Sequence, residues 1–148
     1  MLRNIVFSFL ALLLAVSVRA EVIDIDNAEL ARLSAAGVPV IDIRTAGEWK
    51  DSGVVQGSKL ITYVDERGQV DAPAWLAKVQ AVAKPDQPVI VICRSGNRTR
   101  AASQLLSGQA GYQKVYNVKG GVRAWVDEGR PLTPMASAVA ACPAGARC

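Results

Sequence analysis

The segment Cys93-Arg94-Ser95-Gly96-Asn97-Arg98-Thr99 places one thiol, two guanidiniums and a glycine within seven positions. Directly before it stands Val89-Ile90-Val91-Ile92, a continuous apolar run of the kind that forms a strand buried on both faces of a parallel sheet. The pattern after it predicts a helix over Thr99 to Gln109. A cysteine at a strand end, facing the positive end of a helix beside arginines, has its thiolate favoured over its thiol. A short loop with a central glycine can also turn its backbone N–H groups inward, forming a concavity for an anion. Such a loop supplies a nucleophile and an oxyanion cradle, and it needs no base. The bland alternative is a buried structural cysteine, common at strand ends, but two arginines serve a packed core badly.

The rest of the composition narrows the chemistry. The 148 residues contain no histidine, which excludes Ser-His-Asp and Cys-His catalysis, His-ligated metal and an imidazole proton relay. Three cysteines cannot build a four-thiolate zinc site, so no metal and no other cofactor is expected. The nucleophile must be activated by positive charge and backbone dipoles.

The elements that position this loop alternate between strand and helix. A short apolar opening (Val22 to Ile25) is followed by Asp26 and Glu29, spaced as a helix N-cap and its reciprocal acid. That helix ends at Gly37. Val38 to Ile43 reads as a strand, and Thr45 with Glu48 repeats the capping-box spacing for a short helix. Lys59 to Tyr63 is a further candidate strand. Pro73 to Ala83 is a candidate helix with Trp75, Leu76, Val79 and Val82 on one face. Lys114 to Val118 and Val122 to Glu128 complete the alternation as strand and helix. The pattern predicts an α/β sheet with helices on both faces, and ligands of such sheets bind at the carboxyl ends of the strands.

The two ends read differently. Arg3 followed by an apolar stretch from Ile5 to Val18, closed by Val18-Arg19-Ala20, has the form of a secretory signal peptide over residues 1–20. Its apolar centre is short for a membrane span, so no stable membrane insertion is expected after cleavage; the bland alternative is an uncleaved membrane anchor. A bacterial periplasmic or secreted location follows. Without residues 1–20, 15 basic residues face 13 acidic ones, and no basic stripe with interleaved aromatics suggests nucleic acid. The local basic excess is Arg94, Arg98 and Arg100. From Met135 onward the chain reads as an unpacked, small-residue tail carrying Cys142 and Cys148. In an exported protein that pair suggests a disulfide. The alternatives are a tail thiol that resolves or protects Cys93, and metal capture. No heptad pattern or apolar stripe argues for assembly, and a monomer is expected.

Cys93-Arg94-Ser95-Gly96-Asn97-Arg98-Thr99 resembles the active-site loop of rhodanese-type sulfurtransferases. Ile41-Asp42-Ile43-Arg44 with Glu48, Gly53-Val54-Val55-Gln56-Gly57-Ser58, and Gly120-Gly121 with Trp125 match in order and spacing. The resemblance covers about Val22 to Pro134. It implies a single rhodanese domain over residues 21–134, with a five-stranded parallel sheet flanked by helices. It also implies that Cys93 accepts a sulfane sulfur from thiosulfate, releases sulfite, and passes the sulfur to cyanide or a thiol. Small-molecule donor and acceptor would be the partners. The N–H groups from Arg94 to Thr99 would hold the thiolate and persulfide, and Arg94 and Arg98 would attract the substrate dianion. Two-step covalent transfer predicts ping-pong kinetics.

Four residues separate Cys93 from Arg98, one fewer than in the loop of cysteine-dependent phosphatases, so a tetrahedral phosphate should fit poorly. Asp42, Arg44 and Glu48 read as supporting residues, with a structural Arg44–Glu48 ion pair rather than a catalytic role. Trp125 reads as core and Gly120-Gly121 as a tight turn. Fold alone does not guarantee turnover. The alternative function is therefore a non-enzymatic rhodanese module that carries persulfide or binds a partner or anion. Thiol–disulfide exchange would need a Cys-x-x-Cys pair that Cys93 lacks.

Overall fold

A computed structural model describes residues 20–140. The signal-peptide reading of residues 1–20 therefore falls almost wholly outside the described residues, as do Cys142 and Cys148. Val89–Ile92 forms β4, the middle strand of a five-stranded sheet whose spatial order is β1-β5-β4-β2-β3. The others are β1 (Glu21–Ile25), β2 (Val40–Asp42), β3 (Lys59–Leu60) and β5 (Lys114–Val118). All pairings are parallel.

The alternation of β4 explains its unbroken apolar sequence. Val89 and Val91 face a core shared with Trp75, Val79, Leu105 and Leu106, which come from α3 (Ala72–Val82) and α4 (Asn97–Gly108). Ile90 and Ile92 face the opposite core with Leu30, Leu33, Val122 and Trp125, from α1 (Asn27–Ala35) and α5 (Gly121–Asp127). Both faces of the sheet are covered, as the alternating pattern predicts. After β2 the chain moves outward to β3, and after β4 it moves the other way to β5. The carboxyl ends of β2 and β4 therefore flank the point where the strand order reverses, the usual ligand position in such sheets.

Several boundaries differ from expectation. The β3 strand stops at Leu60, though Ile61 and Tyr63 still donate to Asp42 and Ile43 carbonyls. The Ile61 carbonyl is taken by the Trp75 indole at 3.2 Å, so the edge strand ends there. In α1, Asp26 caps Glu29 N–H at 2.8 Å, but the Glu29 carboxylate turns to Arg32 and leaves the reciprocal arm of the capping box unmade. In α2 (Ala46–Ser52) both arms are present, between Thr45 and Glu48. The tail also differs: Met135–Ala140 is a helix, α6, lying against α2. The cause is an antiparallel bridge just before it, in which Val54 and Thr133 exchange backbone hydrogen bonds of 2.9 and 2.8 Å.

The expected Arg44–Glu48 ion pair is not formed. Arg44 is instead a buried clamp at the end of β2, 2% exposed beside a fully buried Asp42. Its Nε and Nη2 donate to the Asp42 carboxylate at 2.9 and 2.6 Å. Nη1 reaches Ser52 Oγ at 2.7 Å and Nη2 also reaches the Gly53 carbonyl at 2.8 Å. Two residues on one strand end are close enough for a planar guanidinium to fork onto the carboxylate, and the remaining donors hold the end of α2. Arg44→Met strands the Asp42 charge in the core, and the expected loss of stability is about 3–5 kcal/mol, read from the urea unfolding midpoint.

Candidate active site

Four residues after β4 separate the sheet from α4, and they wrap one sulfur atom. Cys93 is 1% exposed. Gly96 N–H donates to Cys93 Sγ at 3.2 Å, and Thr99 Oγ1 lies 3.8 Å from the sulfur. The Thr99 hydroxyl donates to the Gly96 carbonyl at 2.9 Å, closing the first turn of α4. The helix begins at Asn97, two residues before the expected Thr99, so its N-terminal N–H groups are part of the loop. Burial pushes the Cys93 thiol up. The N–H groups of Thr99, Ser95 and Gly96 outweigh it and hold the thiol below its ordinary range. The main cause of activation is thus a ring of backbone donors rather than the flanking arginines.

A loop that turns its N–H groups inward must send its carbonyls outward. Here they meet α5, whose first turn has N–H groups without intrahelical partners. Val122 N–H donates to the Cys93 carbonyl at 2.9 Å, and Arg123 N–H donates to the Arg94 carbonyl at 3.0 Å. The approach is so close that a Cβ on Gly121, where φ is +61°, would lie 2.5 Å from the Cys93 carbonyl oxygen. At Gly96, where φ is +91°, a Cβ would lie 2.2 Å from the Lys119 carbonyl oxygen. The Gly120-Gly121 pair is therefore more than a tight turn. It lets a helix terminus seat against the nucleophile loop.

The two loop arginines have different surroundings. Arg98 donates from both Nη atoms to Glu48, each at 2.7 Å. Glu48 is the residue expected to pair with Arg44, but α2 turns it toward α4. Its hydrogen bonds to Arg98, then the Thr45 N–H and the charges of Arg98 and Arg44, outweigh burial and lower its carboxyl to about 2. Arg98 is held protonated chiefly by Glu48, and the Cys93 thiolate adds to this. Arg94, Ser95 and Asn97 are exposed, whereas Gly96 and Thr99 are buried.

The sequence reading did not single out a cleft of about 470 Å³ beside the loop. Its walls are Arg94, Glu48, Asp51 and Ser52, and α5 contributes Val122, Arg123, Val126 and Asp127. Cys93 is not among the residues that line it; its neighbour Arg94 is. The signal for the α5 residues lay in their spacing: 122 with 126, and 123 with 127, stack on one side of a helix. Among the described residues, no group of three or more His, Cys, Asp or Glu side chains is arranged to hold a metal ion.

A parallel sheet with a thiol ringed by backbone donors at its switch point defines a class, and the comparisons agree. Residues 26–128 match the rhodanese-like domain family, and the chain belongs to it. It is 32% identical over 117 residues to thiosulfate sulfurtransferase 18 of Arabidopsis thaliana, covering 76% of this chain and 84% of that protein. It is 31% identical over 96 residues to a sulfurtransferase of Allochromatium vinosum, covering 64% of this chain and 78% of that one. Among solved structures, a rhodanese-related protein of Thermoplasma volcanium superposes with a TM-score of 0.55 at 27% identity, covering 75% of this chain and 97% of that one.

Two outcomes follow from this geometry. Gly121→Ala combines a strained φ with a clash against loop backbone, and should cost at least about 2 kcal/mol in denaturant unfolding. Glu48→Gln should raise the ratio of Cys93 alkylation rates by iodoacetate and iodoacetamide about 3–10-fold. Removing the carboxylate unmasks Arg98 for an anion, and the ratio cancels any change in thiolate fraction. The same variant should flatten the acid limb of stability. The folded Glu48 carboxyl, at about 2, lies below the ordinary 4.5, so its contribution is full above pH 4.5 and fades as pH falls toward 2.

Proposed function

We propose that this rhodanese-like protein is an exported sulfurtransferase that moves a sulfane sulfur through a Cys93 persulfide. The observation that carries this reading is the buried Cys93 sulfur ringed by the N–H groups of Ser95, Gly96 and Thr99. The Cys93 thiolate attacks the outer sulfur of thiosulfate, the sulfur–sulfur bond breaks, and sulfite leaves with the bonding electron pair. The persulfide anion occupies the same ring of donors, which stabilises it as an oxyanion hole stabilises oxygen. A thiol or cyanide then attacks the outer sulfur and Cys93 departs as the stabilised thiolate. No step requires a base, in keeping with a chain without histidine.

Arg94 offers the exposed cation for an incoming dianion, and Arg98 shapes the loop through Glu48. Residues 1–20 supply export to a bacterial periplasm or beyond, and the domain acts there as a monomer over residues 21–134. The half-neutralised loop favours a second reading of the donor as well. With Arg98 offset by Glu48, a thiol persulfide, less charged than thiosulfate, suits the site.

Incubating reduced protein with thiosulfate should add one sulfur atom to the intact mass. Cyanide should remove it as thiocyanate, and Cys93→Ser should abolish the gain. Because the Cys93 pKa is lowered, the loading rate should rise with pH and reach its plateau below the ordinary thiol range. Loading from a low-molecular-mass persulfide but not from thiosulfate would establish the second donor. Loading from neither, with Cys93 reduced and alkylatable, would sink the sulfurtransferase reading.

A further inference from the structure

The α5 helix has a second side. Val122, Arg123, Val126 and Asp127 face the cleft beside the nucleophile loop, whereas Gly120, Ala124 and Glu128, spaced four apart, line a separate cavity of about 490 Å³. The facing wall is the carboxyl end of β1 and the start of α1, with Asp24, Asp26 and Asn27. Three carboxylates and one ammonium, that of Lys119, therefore stand around this space. Among the described residues, Asp24, Asp26 and Lys119 form no ion pair, and Glu128 is paired with Arg130 at 2.7 Å. Asp26 caps α1, and Asp24 accepts from Asn117 Nδ2 at 2.7 Å. Both of those donors are neutral and leave the charge uncompensated. The acids also act on one another: Arg130 and then Asn27 hold the Glu128 carboxyl below its usual range, while desolvation and the Asp26 charge push it up.

Asn27 points to what the cavity lacks. It is 3% exposed, and its Nδ2 donates to Glu128 Oε1 at 2.8 Å. That bond fixes the amide and leaves Oδ1 buried without a hydrogen-bond partner, a costly state for an acceptor. A water would satisfy the oxygen but not the excess negative charge. A single metal ion does not suit either, because no group of three or more His, Cys, Asp or Glu among the described residues is arranged to hold one. A guanidinium meets both needs, since it is always charged and spreads five N–H donors over a planar fork. We infer that this cavity binds a guanidinium, carried by free arginine or by an arginine side chain of a partner polypeptide. The fork sits between Asp24, Asp26 and Asn27, and the methylene stem lies along Ala124. Lys119 opposes a second positive charge on the same ligand. The inference concerns a site apart from Cys93 and does not depend on the sulfurtransferase reading.

Calorimetric titration of the reduced protein tests this with two probes, free arginine and the capped peptide acetyl-Gly-Arg-Gly-amide, each beside its lysine counterpart. At least one arginine probe should bind with a dissociation constant of about 1 mM or tighter, and at least about 3-fold more tightly than its lysine counterpart. Tighter binding of free arginine identifies a small-molecule ligand, and tighter binding of the peptide identifies a side chain on a partner. Asp26→Asn keeps the helix cap, because asparagine caps as well as aspartate, and removes only the charge. It should weaken the arginine probe about 3-fold, and Asp24→Asn should do the same. The urea unfolding midpoint reports that both variants are folded. Affinities that stay the same in both variants would overturn the site. So would equal binding of the arginine and lysine probes, or no binding of either arginine probe.

Discussion

Two backbone hydrogen bonds, from Val122 N–H to the Cys93 carbonyl and from Arg123 N–H to the Arg94 carbonyl, hold the rest of the site in place. A loop can present a ring of N–H groups to a sulfur atom only if its carbonyls find donors on the other side, because buried carbonyls without partners are costly. A helix N-terminus carries the surplus donors. The seating of α5 on the loop therefore solves both problems at once. It requires a backbone approach that a Cβ at Gly121 or Gly96 would block. The glycines on the two sides of the contact serve one purpose, though 25 positions separate them.

Charge is arranged around that frame in layers. The innermost guanidinium, Arg44, is fully spent on Asp42, Ser52 and the Gly53 carbonyl. It braces the end of β2 and fixes where α2 stops. The next, Arg98, is shared with Glu48, whose capping-box contacts with Thr45 orient it toward α4. The outermost, Arg94 and Arg123, have no such partners among the described residues and face the cleft. Stabilisation of the thiolate thus falls mainly to neutral backbone dipoles that cannot leave the site or be screened by salt as exposed charges are.

The α6 helix belongs to the same scheme. The Val54–Thr133 bridge brings the chain back beside α2, so residues expected to trail off instead cover the helix that carries Glu48, Asp51 and Ser52. Nothing in the composition of Met135 to Ala140 demands this. It follows from where the preceding strand-like contact leaves the chain.

Much of this protein was legible in its residue order, for local reasons. The apolar run at Val89 to Ile92, the Thr45–Glu48 spacing and the loop from Cys93 to Thr99 each act over a few neighbouring residues, so periodicity and type suffice to place strand, cap and nucleophile. The partners of Arg44 and Glu48 were not legible, because two acids lay within reach of Arg44 in sequence. Only the angle between β2 and α2 decides that Asp42 meets it while Glu48 turns to a guanidinium 50 positions away. The cleft was hidden for the same reason. Asp51 and Asp127 are ordinary surface acids on separate helices until the sheet brings α2 and α5 to one side of the loop. Local sequence determines which groups can activate a thiol, but long-range packing decides which charges remain unpaired beside it, since pairing depends on distance through space rather than along the chain.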